Sequence, residues 1–496
     1  MKILSASQIR LADQFTIENE PISSIDLMER ASEAFVSWFT GQFKKKDEVL
    51  AVCGTGNNGG DGLAISRMLL AGGYKVKVAI AGDTAKGSED FKTNLRRLEK
   101  LSVVVYDTSD TDFQTNIIID ALFGSGLSRP VTGGLADLIK KINDSEAEVV
   151  AVDIPSGLYC DDPSKGDAIV EADNVVTFQL PKLAFLLPEN GRFVKNWATV
   201  DIGLNTEFIS SQDSNFQLIE LGLVREKLKK RPKFFHKGQA GKALLVTGSK
   251  GKMGAAVLCA KACLRSGVGL LEVHIPEIGN TILQTAVPEA MVLLDKDDVI
   301  SETMDGQEYD AIGFGPGLGT EEQTYSALRN YLENQKTPVV IDADALNLIS
   351  LHPDLLNLIP PNSILTPHPG EFKRLAGSWA DDFQRLKMQV DFSTRNKVII
   401  ILKNAHSSIS LPNGSVFFNS TGNPGMATGG SGDVLTGIIT GLLSQGYSPQ
   451  DSSTMGVYIH GLAGDLASKR SSEEGLIASD IIEFLPNAFK KIRENS

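Results

Sequence analysis

The chain has 496 residues, 42% hydrophobic and 22% charged, with a formal net charge of -13. That length exceeds what one hydrophobic core usually serves, so two domains are expected. The acidic balance excludes nucleic acid and anionic membrane as partners unless a basic patch is segregated, and only Arg225 to Lys237 is densely basic.

Met1 to Phe15 carries Lys2, Arg10 and Asp13 and lacks the apolar stretch of a secretory signal. No segment approaches the roughly 20 uncharged apolar residues of a membrane span. Apolar residues at helical spacing predict helices over Ser5 to Asn19 and Ser24 to Phe39. From Glu48 onward, short β-branched runs alternate with amphipathic windows, which is the pattern of a parallel sheet wrapped by helices. The clearest strands are Val49 to Cys53, Lys75 to Ile80, Ser102 to Tyr106, Asn116 to Leu122 and Glu148 to Ile154. The pattern breaks at a polar stretch, Asn205 to Asn215, followed by the basic segment, so the seam is placed near residue 215, dividing 1–215 from 216–496.

The alternation restarts with strand Lys242 to Thr247, a glycine loop and a helix over Met253 to Arg265. Strands Gly269 to Ile275, Ala311 to Gly313, Val339 to Asp342, Ser363 to Thr366 and Val398 to Leu402 continue it. Cys53, Cys160, Cys259 and Cys263 are too sparse for a disulfide framework and lack metal-site spacing, which fits a reducing cytoplasm. Cys259 and Cys263, four apart in a helix, read as core.

In the first half, three strand ends carry the chemistry. Strand Val49 to Cys53 runs into Gly54-Thr55-Gly56-Asn57-Asn58-Gly59-Gly60-Asp61-Gly62-Leu63, which has neither the dinucleotide fingerprint nor the Gly-Lys-Ser/Thr of a P-loop. The others end in Asp120-Ala121-Leu122-Phe123-Gly124-Ser125-Gly126-Leu127-Ser128-Arg129-Pro130 and Asp153-Ile154-Pro155-Ser156-Gly157-Leu158. Ligands of a parallel sheet bind outside its carboxyl ends. Asn58, Asp120 and Ser156 there form an oxygen-rich set suited to a hard monovalent or divalent cation. Turn capping is the plainer reading of Asp120 or Asp153 alone.

In the second half, Gly315-Pro316-Gly317-Leu318-Gly319, Thr366-Pro367-His368-Pro369-Gly370-Glu371-Phe372 and Lys403-Asn404-Ala405-His406-Ser407 each follow a strand. They are followed by Thr421-Gly422-Asn423-Pro424-Gly425-Met426-Ala427-Thr428-Gly429-Gly430-Ser431-Gly432-Asp433-Val434-Leu435-Thr436-Gly437. Its glycines let backbone N–H groups converge on phosphate oxygens, and the helix over Val434 to Leu443 adds positive potential. Asp433 is an acid beside that anion hole, suited to removing a hydroxyl proton near a phosphate. Ser-Gly-Asp is also what an ordinary helix cap looks like, and His368, between two prolines, could merely cap its turn.

The first-half motifs resemble the N-terminal domain of the bifunctional NAD(P)H-hydrate repair enzymes, and the second-half motifs resemble the ribokinase-like ADP/ATP-dependent NAD(P)H-hydrate dehydratases. The resemblance implies an α/β chain of two domains, an N-terminal Rossmann-like three-layer α/β/α sandwich and a C-terminal ribokinase-like α/β domain. It implies an epimerase of R and S NAD(P)H hydrates, with Asn58, Asp120 and Ser156 on a potassium ion and Asp153 as acid/base. Asn57 to Asp61 and Gly124 to Pro130 would hold the hydrate. For the dehydratase, it implies Ala255, Gly317, His368, Pro369, Gly370, Glu371, Phe372, Lys373, Arg374 and Asp433 on the hydrate. Lys403 to Ser407 and Asn423 to Gly432 would hold ADP or ATP, with magnesium offsetting its charge. The partners implied are NADHX, NADPHX and an adenine nucleotide, and a homo-oligomer. Asn404 stands where a glycine is expected, and asparagine best shares glycine's left-handed backbone. The rival reading is a ribokinase-like vitamin or sugar kinase with a non-catalytic dinucleotide-sensing first half.

Overall fold

The computed structural model describes residues 1–101, 105–108, 111–303 and 308–494. It divides into two compact units: Lys2–Ser214 with Asp381–Phe383, and Met1 with Asn215–Ala380 and Gln384–Ser496.

The first unit is built on β1 (Glu48–Cys53), β2 (Lys75–Ile80), β3 (Val105–Asp107), β4 (Ile117–Ala121), β5 (Glu148–Val152), β6 (Ala172–Phe178) and β7 (Val194–Val200). They form a parallel sheet in the order β3-β2-β1-β4-β5-β6-β7. Side-chain alternation sorts its two faces. Val49, Ala51 and Cys53 pack with Phe35, Leu63 and Phe91 of the helices Ser24–Gln42, Asn57–Ala71 and Glu89–Glu99, whereas Leu50 and Val52 pack with Leu138, Ile139 and Phe185. Strand order reverses between β1 and β4, so the crevice outside their carboxyl ends is where a ligand fits. Of the expected strand Ser102 to Tyr106, residues 102–104 lie outside the described residues, and Val105–Asp107 is a strand. β6 and β7 were not expected. They follow the Pro- and Gly-punctuated stretch after Asp153, where turn residues obscure the alternation.

The second unit holds β8 (Phe216–Leu218), β9 (Lys242–Val246), β10 (Leu270–Pro276), β11 (Met291–Asp295), β12 (Ala311–Phe314), β13 (Val340–Ile341), β14 (Ile364–Leu365), β15 (Ile399–Leu402), β16 (Ser408–Ser410) and β17 (Val416–Phe418). Their order is β11-β10-β9-β12-β13-β14-β15-β16-β17-β8, parallel from β11 to β15, with β16 antiparallel to both neighbours. The sequence did not announce β8, β11, β16 and β17. Three of these are three-residue strands, too short for periodicity to register. One face carries helices Met253–Arg265, Ser431–Ser444, Pro449–Arg470 and Ala478–Arg493, whose Ala262, Val434, Ile459 and Leu485 are fully or almost fully buried. All four cysteines are buried free thiols.

Candidate active sites

In the first unit, the glycine loop after β1 is only three residues long. Helix Asn57–Ala71 begins inside the expected loop, so Asn57 to Asp61 form its first turn. Its cap, Gly56, supplies no side-chain hydrogen bond, which leaves the helix's first N–H groups free to meet an anion. Packing demands Gly59 and Gly62. A Cβ on Gly59 would lie 1.8 Å from the Gly54 carbonyl oxygen, and one on Gly62 would lie 2.5 Å from the Ala121 Cβ.

Asp120 closes β4 fully buried. It accepts from Ser156 N at 2.8 Å, Ser156 Oγ at 2.6 Å and Leu122 N at 3.3 Å, the last being the turn-capping bond. Burial still outweighs these bonds and pushes its carboxyl up to about 6. Asn58 lies against Gly124, and its Nδ2 is buried without a partner. Asn58, Asp120 and Ser156 are thus gathered between the loops after β1, β4 and β5. The set is all oxygen with one carboxylate, which suits a singly charged hard cation better than a divalent one.

Asp153 follows β5 in the left-handed region, φ 65°. One of its oxygens, Oδ1, accepts from Lys182 Nζ at 2.6 Å, Phe178 N at 3.0 Å and Thr177 Oγ1 at 3.2 Å. No such bond engages Oδ2 among the described residues. Lys182 is itself 1% exposed. Three further groups belong to this centre and were missed by sequence reasoning: Lys182, Arg10 and Asp13. Arg10 reaches the loop at Gly126. Burial first, then Asp153, lifts the Asp13 carboxyl to about 6 against Lys182 and Arg10. Burial and the neighbouring Asp153, Asp13 and Asp90 likewise push Asp61 well up. Ser128, Arg129 and Pro130 are exposed at the loop's far end.

In the second unit, Gly317, φ 64°, brings its loop onto Lys252 and Ala255, joining two of the expected positions. His368 caps helix Pro369–Ala376: its Nδ1 accepts from Gly370 N at 3.0 Å, while Glu371 Oε2 accepts from His368 N at 2.8 Å. His368 thus caps this turn while its side chain stays half-exposed. Phe372 is a correction as to its side chain: the ring is fully buried against Trp379 and Phe392, so it packs the core.

Asn404 is a second correction, because its φ is not positive. Ser407 Oγ accepts from Asn404 N at 3.1 Å and donates to Asn404 O at 3.0 Å, closing the turn without left-handed backbone. Lys403 points away from this turn, with Nζ 2.8 Å from Asp342 Oδ1. Thr436 Oγ1 donates to the other oxygen at 2.7 Å. Burial opposes the Lys403 charge, but Asp342, Glu371 and Asp433 together hold its pKa above the ordinary value. Asp342 directly follows β13, and an acid at a strand end, as at Asp120, is a signal that could have found it.

The loop before Asp433 is pinned from outside. Asn423 Nδ2 and Gly422 N both donate to Asp465 at 3.0 Å. A Cβ on Gly425 would meet Glu473 O at 2.5 Å, whereas one on Gly429 would meet nothing within 4 Å. Helix Ser431–Ser444 is capped by left-handed Gly430 with no side-chain bond, so Asp433 in its first turn is no cap. Burial first, then Asp342 and Asp344, raises Asp433 to about 7 against Lys403. A carboxyl that titrates there can act as a base at neutral pH.

Residues 243–487 match a family model described as NAD(P)H-hydrate dehydratase, and residues 24–184 one described as YjeF-related protein N-terminus. The chain is 34% identical to the bifunctional NAD(P)H-hydrate repair enzyme Nnr of Moorella thermoacetica, over 100% of this chain and 98% of the relative. It is 32% identical to the enzyme of the same name from Thermofilum pendens, over 100% and 97%. A Bacillus subtilis ADP/ATP-dependent NAD(P)H-hydrate dehydratase, co-crystallised with ATP and Mg2+, superposes with a TM-score of 0.50 at 31% identity, covering 56% of this chain and 98% of that one. With relatives matched from end to end at this identity, the chain belongs to the bifunctional NAD(P)H-hydrate repair enzymes.

Proposed function

We propose that the first unit interconverts the R and S hydrates of NADH and NADPH at C6. The second unit then returns the S hydrate to NAD(P)H at the expense of ADP or ATP. The observation that carries the second activity is Asp433: half-buried, lifted to about 7, and in the first turn of a helix behind an open glycine loop.

Asp433 takes the proton of the C6 hydroxyl, and the freed oxygen attacks the terminal phosphoryl group of the nucleotide. The helix N-terminus and loop N–H groups receive the phosphate charge. Phosphate then leaves C6 with the C–O bond pair, pushed by the ring nitrogen, and loss of the C5 proton restores the C5–C6 double bond. Lys403 is placed to meet charge at the transferred phosphoryl, since its Nζ sits against Asp342 and Gly432, away from the Asn404 turn. Magnesium would offset charge on the phosphates.

In the first unit, Asp153 offers Oδ2 to the substrate while Lys182, Phe178 N and Thr177 fix Oδ1. It gives and takes the proton as the bond at C6 is broken and remade. Asn58, Asp120 and Ser156 would hold a potassium ion, whose charge would relieve the raised Asp120 carboxyl and tie together the loops after β1, β4 and β5.

The test is an assay of separated R and S hydrates of NADH with ADP, with ATP and with neither. Interconversion without nucleotide, and NADH formed from the S hydrate only with nucleotide, is the expected result. Untouched hydrates, with phosphorylation of a vitamin or sugar alcohol instead, would refute it.

A further inference from the structure

The densest run of basic residues, Arg225 to Lys237, plays no part in either site. In the second unit it forms one wall of a cavity of about 540 Å³ at the C-terminal end of helix Ser431–Ser444. Asp433 lies in the first turn of the same helix, so the length of the helix, about 20 Å at 1.5 Å per residue, separates the two places.

Lys229, Lys230, Arg231, Arg265 and Arg493 line this cavity, and among the described residues no aspartate or glutamate does. Five cations without a carboxylate stand out in a chain of net charge -13. Helix capping accounts for part of them. Lys229 Nζ donates to the carbonyls of Gln445 and Gly446 at 3.1 and 2.8 Å, Arg231 to Gln445 Oε1 at 2.8 Å, and Arg493 to Lys229 O at 2.9 Å. Arg265 closes its own helix, Met253–Arg265, where the helix dipole favours a cation, but neither it nor Lys230 forms an ion pair among the described residues, and Lys230 stands at no helix end.

Aromatic rings complete the wall. Lys229 lies 4.5 Å over the Tyr447 ring and Arg231 4.9 Å over the Phe235 ring, and Phe489 and Leu442 supply an apolar floor. Cations that bind phosphate beside rings that stack with a base are the recognition chemistry of nucleotides. The volume is that of a small-molecule pocket, and the overall acidity of the chain disfavours an extended polyanion. We propose that this cavity is a second nucleotide site, distinct from the Asp433 loop, which takes a base-bearing phosphate ligand. The inference does not depend on the reaction at that loop.

Equilibrium dialysis of the full-length chain against ADP, and separately against inorganic pyrophosphate, tests it. The wild type is expected to bind one more ADP per chain than a Lys230→Glu/Arg265→Glu variant. Both substitutions are on exposed side chains, and a circular-dichroism melt matching the wild type checks that the variant is folded. Phe235→Ala is expected to weaken that additional ADP roughly tenfold while leaving pyrophosphate binding unchanged. Equal ADP counts in wild type and double variant would overturn the site. Pyrophosphate binding as tight as ADP would overturn its assignment to a nucleotide.

Discussion

Replacing Asp433 by asparagine is expected to stabilise the second unit while abolishing dehydration. Burial, Asp342 and Asp344 lift this carboxyl from an ordinary 3.8 to about 7, with Lys403 pulling the other way. At about 1.4 kcal/mol per factor of ten, the ionised form costs the folded chain roughly 4 kcal/mol, an upper figure because the side chain keeps some exposure. The sign follows from proton binding. Between pH 3.8 and 7 the folded chain holds a proton that the unfolded chain has released, so stability falls as pH rises through that window. The cost is complete above pH 7 and absent below the unfolded value. Asparagine is uncharged throughout, and no hydrogen bond to the carboxylate is lost among the described residues. Scanning calorimetry should therefore find Asp433→Asn melting several degrees above wild type at pH 8, with most of the gain gone near pH 4.5. A variant no more stable at pH 8, or equally stabilised at both pH values, would show that this carboxyl is not strained and would remove the ground for naming it the base.

The same acid sets a kinetic expectation: kcat/KM for dehydration rises with pH through about 7 as Asp433 ionises, read from initial rates between pH 5 and 9. Asp153→Asn is expected to abolish R-to-S conversion while S-hydrate dehydration persists; unchanged epimerisation would favour a sensing role for the first unit. Lys182→Met leaves the Asp153 carboxylate without its buried partner at 2.6 Å. It is expected to cost that unit about 3–5 kcal/mol in denaturant melts. Gly429→Ala has open space and should leave stability unchanged while raising the KM for nucleotide several-fold, whereas Gly425→Ala would strike the Glu473 backbone and lower the melting temperature instead.

The legible parts of this chain were those where local chemistry repeats at a structural landmark. Asp120, Asp153 and Asp433 each stand beside glycine-bearing turns at the end of a strand or the start of a helix, and turn chemistry is read within a few residues. Long apolar strands such as β1 and helices such as Met253–Arg265 were legible for the same reason, their periods fitting within one window. β16 and β17 were not, because three-residue strands owe their existence to the neighbours they pair with.

What stayed hidden in the sites are the groups that act across long sequence separation. Lys182 meets Asp153 across 29 positions, and Lys403 meets Asp342 across 61. Each is an isolated cation in an otherwise apolar stretch, where a solvated surface lysine is the default expectation and nothing nearby names its partner. Phe372 errs in the other direction: a motif read as one contiguous binding segment is in fact a helix, whose period of about 3.6 residues turns some side chains toward the core and others toward solvent. The two sites share one arrangement. In each, the carboxylate proposed to handle a proton stands near a lysine whose ion pair is made to a single carboxylate oxygen. In the first unit this oxygen belongs to Asp153 itself, so its second oxygen is left for the substrate. In the second it belongs to Asp342, which leaves Asp433 free of direct pairing and able to titrate near neutrality. Whether the lysine pairs with the carboxylate itself or with a neighbouring one thus separates a carboxylate held in fixed orientation from one left unpaired.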